Sequence, residues 1–76
     1  MNRIRRKALE ELMSQIEDLK DALEMLKDEE QEYMDNMPEN LQSSERYEIA
    51  ENAVYNMEDA LNNLEEAISS IEAAVE

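Results

Sequence analysis

Carboxylates are the most abundant side chains in this sequence that could do chemistry. The 76 residues include 21 Asp and Glu but no His and no Cys. The lack of His and Cys excludes the commonest general base, thiol catalysis and thiolate-bound zinc. Glycine is also absent, so no glycine-rich loop can cradle a phosphate. Any reaction or ion binding would therefore depend on the carboxylates.

The carboxylates form no pattern that is specific for a metal or for catalysis. The run Asp28-Glu29-Glu30 with Glu32 could hold Ca²⁺ or Mg²⁺ loosely, but no glycine turn of the EF-hand type accompanies it. A di-iron site in a helical bundle uses a Glu-x-x-His motif. Two carboxylates acting as acid and base need a concave pocket. We therefore expect no enzyme, no metal and no cofactor.

The charge is strongly acidic and unevenly distributed. The net charge is −14, yet four of the seven bases lie together at Arg3, Arg5, Arg6 and Lys7. Such an acidic body repels nucleic acid and anionic membranes and attracts basic protein surfaces. We therefore expect a basic protein partner, without direct nucleic-acid or membrane contact. The basic cluster has two interpretations, a clasp against acidic residues near position 76 or a contact to a phosphate or partner.

Apolar residues repeat in two series whose steps alternate between three and four, which is the heptad pattern of coiled coils. The only proline, Pro38, lies between the two series. The pattern predicts an all-α fold, an antiparallel two-helix coiled-coil hairpin over residues 1–76. Helix 1 is expected over about 3–35, the turn over 36–43 and helix 2 over 44–75. The series are Leu9, Leu12, Ile16, Leu19, Leu23, Leu26, Glu30, Tyr33 and Met37, then Tyr47, Ala50, Val54, Met57, Leu61, Leu64, Ile68, Ile71 and Val75.

A single register pairs the two series when the chain folds near Asn40. Facing residues then have numbers that sum to 80, as in Leu19 with Leu61. This register predicts that Leu12, Leu19, Leu26 and Tyr33 lie in the seam between the helices. It also predicts ion pairs across the seam, namely Arg6 with Glu72, Lys20 with Glu58 and Lys27 with Glu51.

The segment 28–48 has two interpretations. Pro38 is tolerated in the first turn of a helix, so residues 38–41 are expected to form one short turn that includes Asn40. Ser43 or Ser44 is the expected N-cap of helix 2. The same segment gathers many polar residues near one tip, so it is either a capped corner or a recognition surface.

A second apolar strip predicts that two hairpins pair into a dimeric four-helix bundle. Helix 2 carries one alanine per heptad beside its seam, and two larger apolar residues lie on the same side. The candidate dimer-interface residues are Met25, Ile49, Ala53, Ala60, Ala67 and Ala74. The candidate residues for binding a basic partner are Asp28, Glu29, Glu32, Asp35, Glu51, Glu58 and Glu65.

A resemblance to other proteins lies in three stretches of the sequence, which are Arg5-Arg6-Lys7, Asp28 to Glu48 and Glu65 to Ser70. The chain resembles uncharacterised small acidic helical-hairpin proteins of bacterial phages and mobile elements. The resemblance implies the cytoplasm of a bacterial host and no particular activity. Phage proteins of this size commonly act by blocking a host protein. We therefore expect a non-enzymatic protein–protein interaction module that binds and inhibits a host protein such as a defence nuclease, and nucleic-acid mimicry is one way to do so.

Two other functions remain open from the sequence. One is a purely structural helical module whose only partner is itself. The other is nucleic-acid binding through the basic cluster Arg3–Lys7, which the acidic body opposes. The acidic surface itself has a plain alternative to mimicry, because charge alone keeps a small bundle soluble.

Overall fold

The computed structural model describes all residues, 1–76, and forms a helical hairpin. Helix α1 spans Arg3–Asp35 and helix α2 spans Glu45–Val75, with one 3₁₀ turn at Glu39–Leu41 between them. The helices run antiparallel in a rod of 59 × 15 × 12 Å. The all-α hairpin predicted from the heptad series is confirmed, and the helix bounds lie within one residue of those expected. Neither helix has a stretch long and apolar enough to cross a bilayer.

The corner between the helices forms without any left-handed residue, which suits a chain that lacks glycine. The ring of Pro38 disfavours helical geometry at Met37, so α1 ends just before it. The N–H of Leu41 then donates to the carbonyl of Pro38 at 2.8 Å and closes the 3₁₀ turn. The Ser44 hydroxyl accepts from the Tyr47 N–H at 3.3 Å and caps α2.

Helix α2 packs against α1 through the face that the heptad series predicts. Ala50, Val54 and Ile68 are buried, and the other members of its series are half-buried against α1. The best-packed part of the core lies near the tip, where Met34 of α1 contacts Ala50 and Val54. Only five residues of the chain are buried, so the core is thin.

Helix α1 is rotated relative to the predicted register. The predicted seam residues Leu12, Leu19, Leu26 and Tyr33 are 48, 63, 56 and 44% exposed, so their placement in the seam is wrong. Leu9, Ile16 and Leu23 do face α2, as predicted. The row on the other side of these three residues packs against α2 in place of the leucines. Its half-buried or buried members are Arg6, Met13, Lys20, Lys27 and Met34.

Charge and packing explain this rotation. The long stems of Lys20 and Lys27 cover apolar surface while their amines stay near the acids of α2. The predicted ion partners are also wrong, because Lys20 Nζ lies 3.0 Å from Glu65 rather than pairing with Glu58. Lys27 pairs with its neighbour Asp28 at 3.5 Å, and Arg6 donates to the Val75 carbonyl at 2.9 Å.

Candidate interaction surfaces

The acidic surface is largely unneutralised. Of the 21 carboxylates, only Glu65 and Asp28 lie within 4.0 Å of a cationic nitrogen. All of them are exposed except Glu30 and Glu51, which are half-buried. The long rod therefore carries its negative charge where another molecule can approach it.

One group of predicted partner-binding residues lies on the last two turns of α1. Asp28, Glu29, Glu32 and Asp35 are all exposed there. Asp35 accepts a hydrogen bond from the Gln31 amide at 3.1 Å, and Asp28 is paired with Lys27. The other two carboxylates make no side-chain hydrogen bond or ion pair, so this end of α1 can meet a cationic surface without first losing strong internal contacts.

The other group lies on a different side of the hairpin. Glu58 and Glu65 line a shallow groove of about 320 Å³ together with Lys20 and Lys27, and Glu51 is half-buried further along the same row. The hydrogen bond to Glu65 raises the pKa of Lys20 above its usual value, against the opposing effect of burial. Of these three carboxylates only Glu65 pairs with a lysine of the hairpin. The structure thus divides the predicted partner surface into two parts.

An open cleft of about 1240 Å³ lies at the tip beside the corner. Its apolar wall includes Tyr33, Leu41 and Ile49, and its polar side includes Glu30 and Arg46. Arg46 has no carboxylate within 4.0 Å, so it forms no ion pair with Glu30 or Asp35. The cleft is thus an apolar surface with one unpaired cation at its edge.

The predicted turn residues serve the corner in different ways. Pro38 precedes the 3₁₀ turn and Asn40 lies within it. Ser44 is the cap of α2, whereas the neighbouring Ser43 is exposed and makes no side-chain hydrogen bond. The cap of α1 was not predicted: it is Asn2, whose side chain accepts from the Arg5 N–H at 2.7 Å. An Asn directly before the helical run is the signal that could have identified this cap.

The predicted dimer strip is partly used within the hairpin itself. Ala53, Ala60 and Ala67 are half-buried against α1, and Ala74 is exposed. Met25 and Ile49 are 66 and 61% exposed. A larger apolar row, the exposed leucines of α1, was missed because the sequence pattern placed it in the seam.

No three carboxylates are grouped in a way that could hold a metal ion. No protein-family model, curated protein or solved structure matches this chain. The charges and the exposed apolar residues of the hairpin are therefore the features that bear on its function.

Proposed function

We propose that the chain is a non-enzymatic protein–protein interaction module that binds a basic protein surface. The observation that supports this proposal is the large number of exposed carboxylates on a rod 59 Å long, since only two of the 21 carboxylates are paired with cations. Complementary charge accelerates the encounter of two proteins and selects between partners. The last two turns of α1, with Asp28, Glu32 and Asp35, are the surface that makes the contact.

Inhibition by nucleic-acid mimicry is the specific mechanism that we propose. Spreading the charge of −14 along the 59 Å rod gives one charge per about 4 Å, against one per about 1.7 Å for duplex DNA. A side-by-side pair of hairpins would carry one charge per about 2 Å. A basic groove that binds DNA would accept such a rod. In the phage setting that the resemblance implies, the target is a bacterial host protein such as a defence nuclease.

The test is a pull-down from bacterial lysate that has been treated with nuclease. We expect the tagged chain to capture a basic protein and an excess of duplex DNA to displace it, because both compete for one surface. Captured protein that stays bound in excess DNA would contradict the mimicry. Capture of no basic protein would contradict the proposed function as a whole.

A matched pair of variants separates a specific surface from general charge attraction. The triple variant Asp28→Lys, Glu32→Lys and Asp35→Lys is expected to lose the captured protein. The triple variant Glu10→Lys, Glu17→Lys and Glu24→Lys changes the net charge equally at other exposed positions of α1, and it is expected to retain the protein. Equal loss in both variants would mean that no particular surface is recognised.

The second candidate function is a structural module that assembles only with itself. The observation in its favour is the row of leucines on α1 that the hairpin leaves about half exposed. In that case the pull-down would recover only copies of the chain itself, and neither triple variant would change this result.

A further inference from the structure

One face of α1 carries an apolar row that the hairpin covers only in part. Leu12, Leu19, Leu26 and Tyr33, here called the leucine stripe, are spaced seven residues apart and are 44–63% exposed. Seven residues are close to two helical turns, so the four side chains lie in one line along the helix. The stripe extends over about 31 Å of the rod. Large apolar patches of this kind mark interfaces.

The exposed area of the hairpin is larger than a compact monomer of this mass should have. The chain of 8.9 kDa exposes 5846 Å². The usual scaling of surface with mass gives about 4800 Å². The excess of about 1000 Å² is similar to the roughly 800 Å² that each partner buries in a stable protein–protein interface. One interface along the stripe would therefore bring the exposed area to that of a compact protein.

The surroundings of the stripe carry few charges. The next row of α1 contains Ala8, Gln15 and Ala22, with Glu29 as its only charged member. Tyr33 of the stripe lines the tip cleft together with Ile49 of α2, so the stripe and one side of α2 share a face. Apart from Arg46 near the tip, the members of that side are uncharged, namely Ile49, Ala53, Asn56, Ala60, Asn63 and Ala67.

The small number of charges around the stripe indicates which kind of molecule binds there. Two molecules that each carry −14 repel one another, and they can approach closely only through a face from which charges are missing. A basic partner would gain less from this face, because most of the carboxylates that attract it lie on other sides of the rod. The stripe therefore fits a second copy of the chain.

We propose that a second copy docks on the leucine stripe in an antiparallel arrangement about a two-fold axis. The axis passes near Ala22 and Leu23, midway along the stripe. Leu19 then packs against Leu26 of the second copy, and Leu12 packs against Tyr33 of the second copy. The two-fold symmetry repeats each contact, as in the commonest kind of homodimer. The product is a four-helix bundle in which the two α1 helices are adjacent.

The charges at the two ends of the rod determine the orientation. The open end, residues 1–8 and 70–76, has four bases against two acids, whereas the tip, residues 28–48, has eight acids against Arg46 alone. An antiparallel pair places the basic open end of each copy beside the acidic tip of the other. A parallel pair would place the two tips side by side, where like charges repel. Charge complementarity thus favours the antiparallel pair.

Light scattering and sedimentation of the purified chain give the first test. We expect twice the mass of 8.9 kDa at micromolar concentration. The double variant Leu19→Asp and Leu26→Asp is expected to weaken dimerisation at least about 100-fold, because four buried leucines are lost per dimer. The control Tyr55→Asp changes an exposed aromatic residue outside the stripe and should remain a dimer. A monomeric wild-type chain, or loss of the dimer only in the control, would overturn the proposal.

Single-cysteine variants test the orientation in a folded dimer, and the chain has no native cysteine to interfere. Ala22→Cys and Gln15→Cys lie seven residues apart in the same exposed row. In the antiparallel pair, a short bis-maleimide should link Ala22→Cys to itself, whereas the two Gln15→Cys positions are about 22 Å apart along the axis. Equal linking of both variants would indicate a parallel pair. Linking of neither variant would exclude the stripe as the dimer interface, so either result overturns the proposal. Neither cysteine is among the carboxylates of the proposed partner surface, so the dimer and the partner binding can fail independently.

Discussion

Single polar side chains determine where the helices of this protein begin. Asn2 and Ser44 each accept a hydrogen bond from a backbone N–H in the first turn of their helix, at 2.7 and 3.3 Å. These N–H groups have no partner within the helix, so a side chain or water must satisfy them. In a chain without glycine, the caps and Pro38 together define the corner that brings α1 and α2 side by side.

Replacing the cap of α2 should weaken the fold measurably. We expect Ser44→Ala to lower the free energy of unfolding by about 1 kcal/mol, because the first-turn N–H groups lose their acceptor. The matched control is Ser43→Ala, since Ser43 is exposed and makes no side-chain hydrogen bond. Urea denaturation followed by circular dichroism measures both variants. Equal effects of the two substitutions would contradict the assignment of Ser44 as the cap.

At the scale of the helices, α1 has more apolar surface than α2 alone can cover. Its apolar residues occupy rows on both sides of Leu9, Ile16 and Leu23. The row with Met13 and Met34 faces α2, and the leucine stripe stays outside the hairpin. The two rows differ by one residue, or about 100° around the helix. A modest rotation of α1 therefore decides which row becomes core and which becomes surface.

Substitutions at two neighbouring residues can distinguish the row that packs in the core from the row that stays exposed. Met34 is 5% exposed in the core of the hairpin, whereas Tyr33 belongs to the stripe. We expect Met34→Ala to cost about 2 kcal/mol of unfolding free energy at every protein concentration, because it leaves a cavity. The effect of Tyr33→Ala should instead shrink on dilution, because the proposed dimer would bury the part of this side chain that the hairpin leaves exposed. Thermal melting at several concentrations measures both, and the opposite pattern would restore the register expected from the sequence.

At the scale of the whole molecule, self-repulsion opposes the compact hairpin. The net charge of −14 is accompanied by only two ion pairs, and the thin core has five buried residues. Excess charge of one sign destabilises a compact state. The same charge is what a basic partner would recognise. The molecule thus combines a marginal core with a surface suited to binding.

Salt should stabilise this protein. Raising NaCl from about 0.02 M to about 0.5 M shortens the screening length several-fold and weakens the repulsion among carboxylates. We expect the melting temperature to rise by about 5 °C, on the scale of 1 kcal/mol for a domain of this size. Differential scanning calorimetry measures the change, and KCl should act like NaCl if no specific ion is bound. A melting temperature that falls with salt would show that attractive pairs outweigh the repulsion.

Local interactions and spacing account for what the sequence alone determined. The heptad series, the single proline and the serine pair predicted the two helices, their bounds and the corner, because helix formation and capping depend on residues a few positions apart. The acidic character of the surface also follows from composition. Asn2 was missed although its signal is local.

Only the tertiary structure decided which face of α1 meets α2 and which acids remain free. Two rows of α1 are mainly apolar, and a third carries Met13 and Met34 among long cationic side chains. The heptad pattern is therefore compatible with more than one rotation of the helix. The choice depends on contacts between residues far apart in sequence, such as Lys20 with Glu65 and Arg6 with the Val75 carbonyl. Those contacts occupy Glu65 within the hairpin and leave the leucine stripe exposed. Which residues are buried depends on how the two helices pack together, and the periodicity of one helix alone does not determine it.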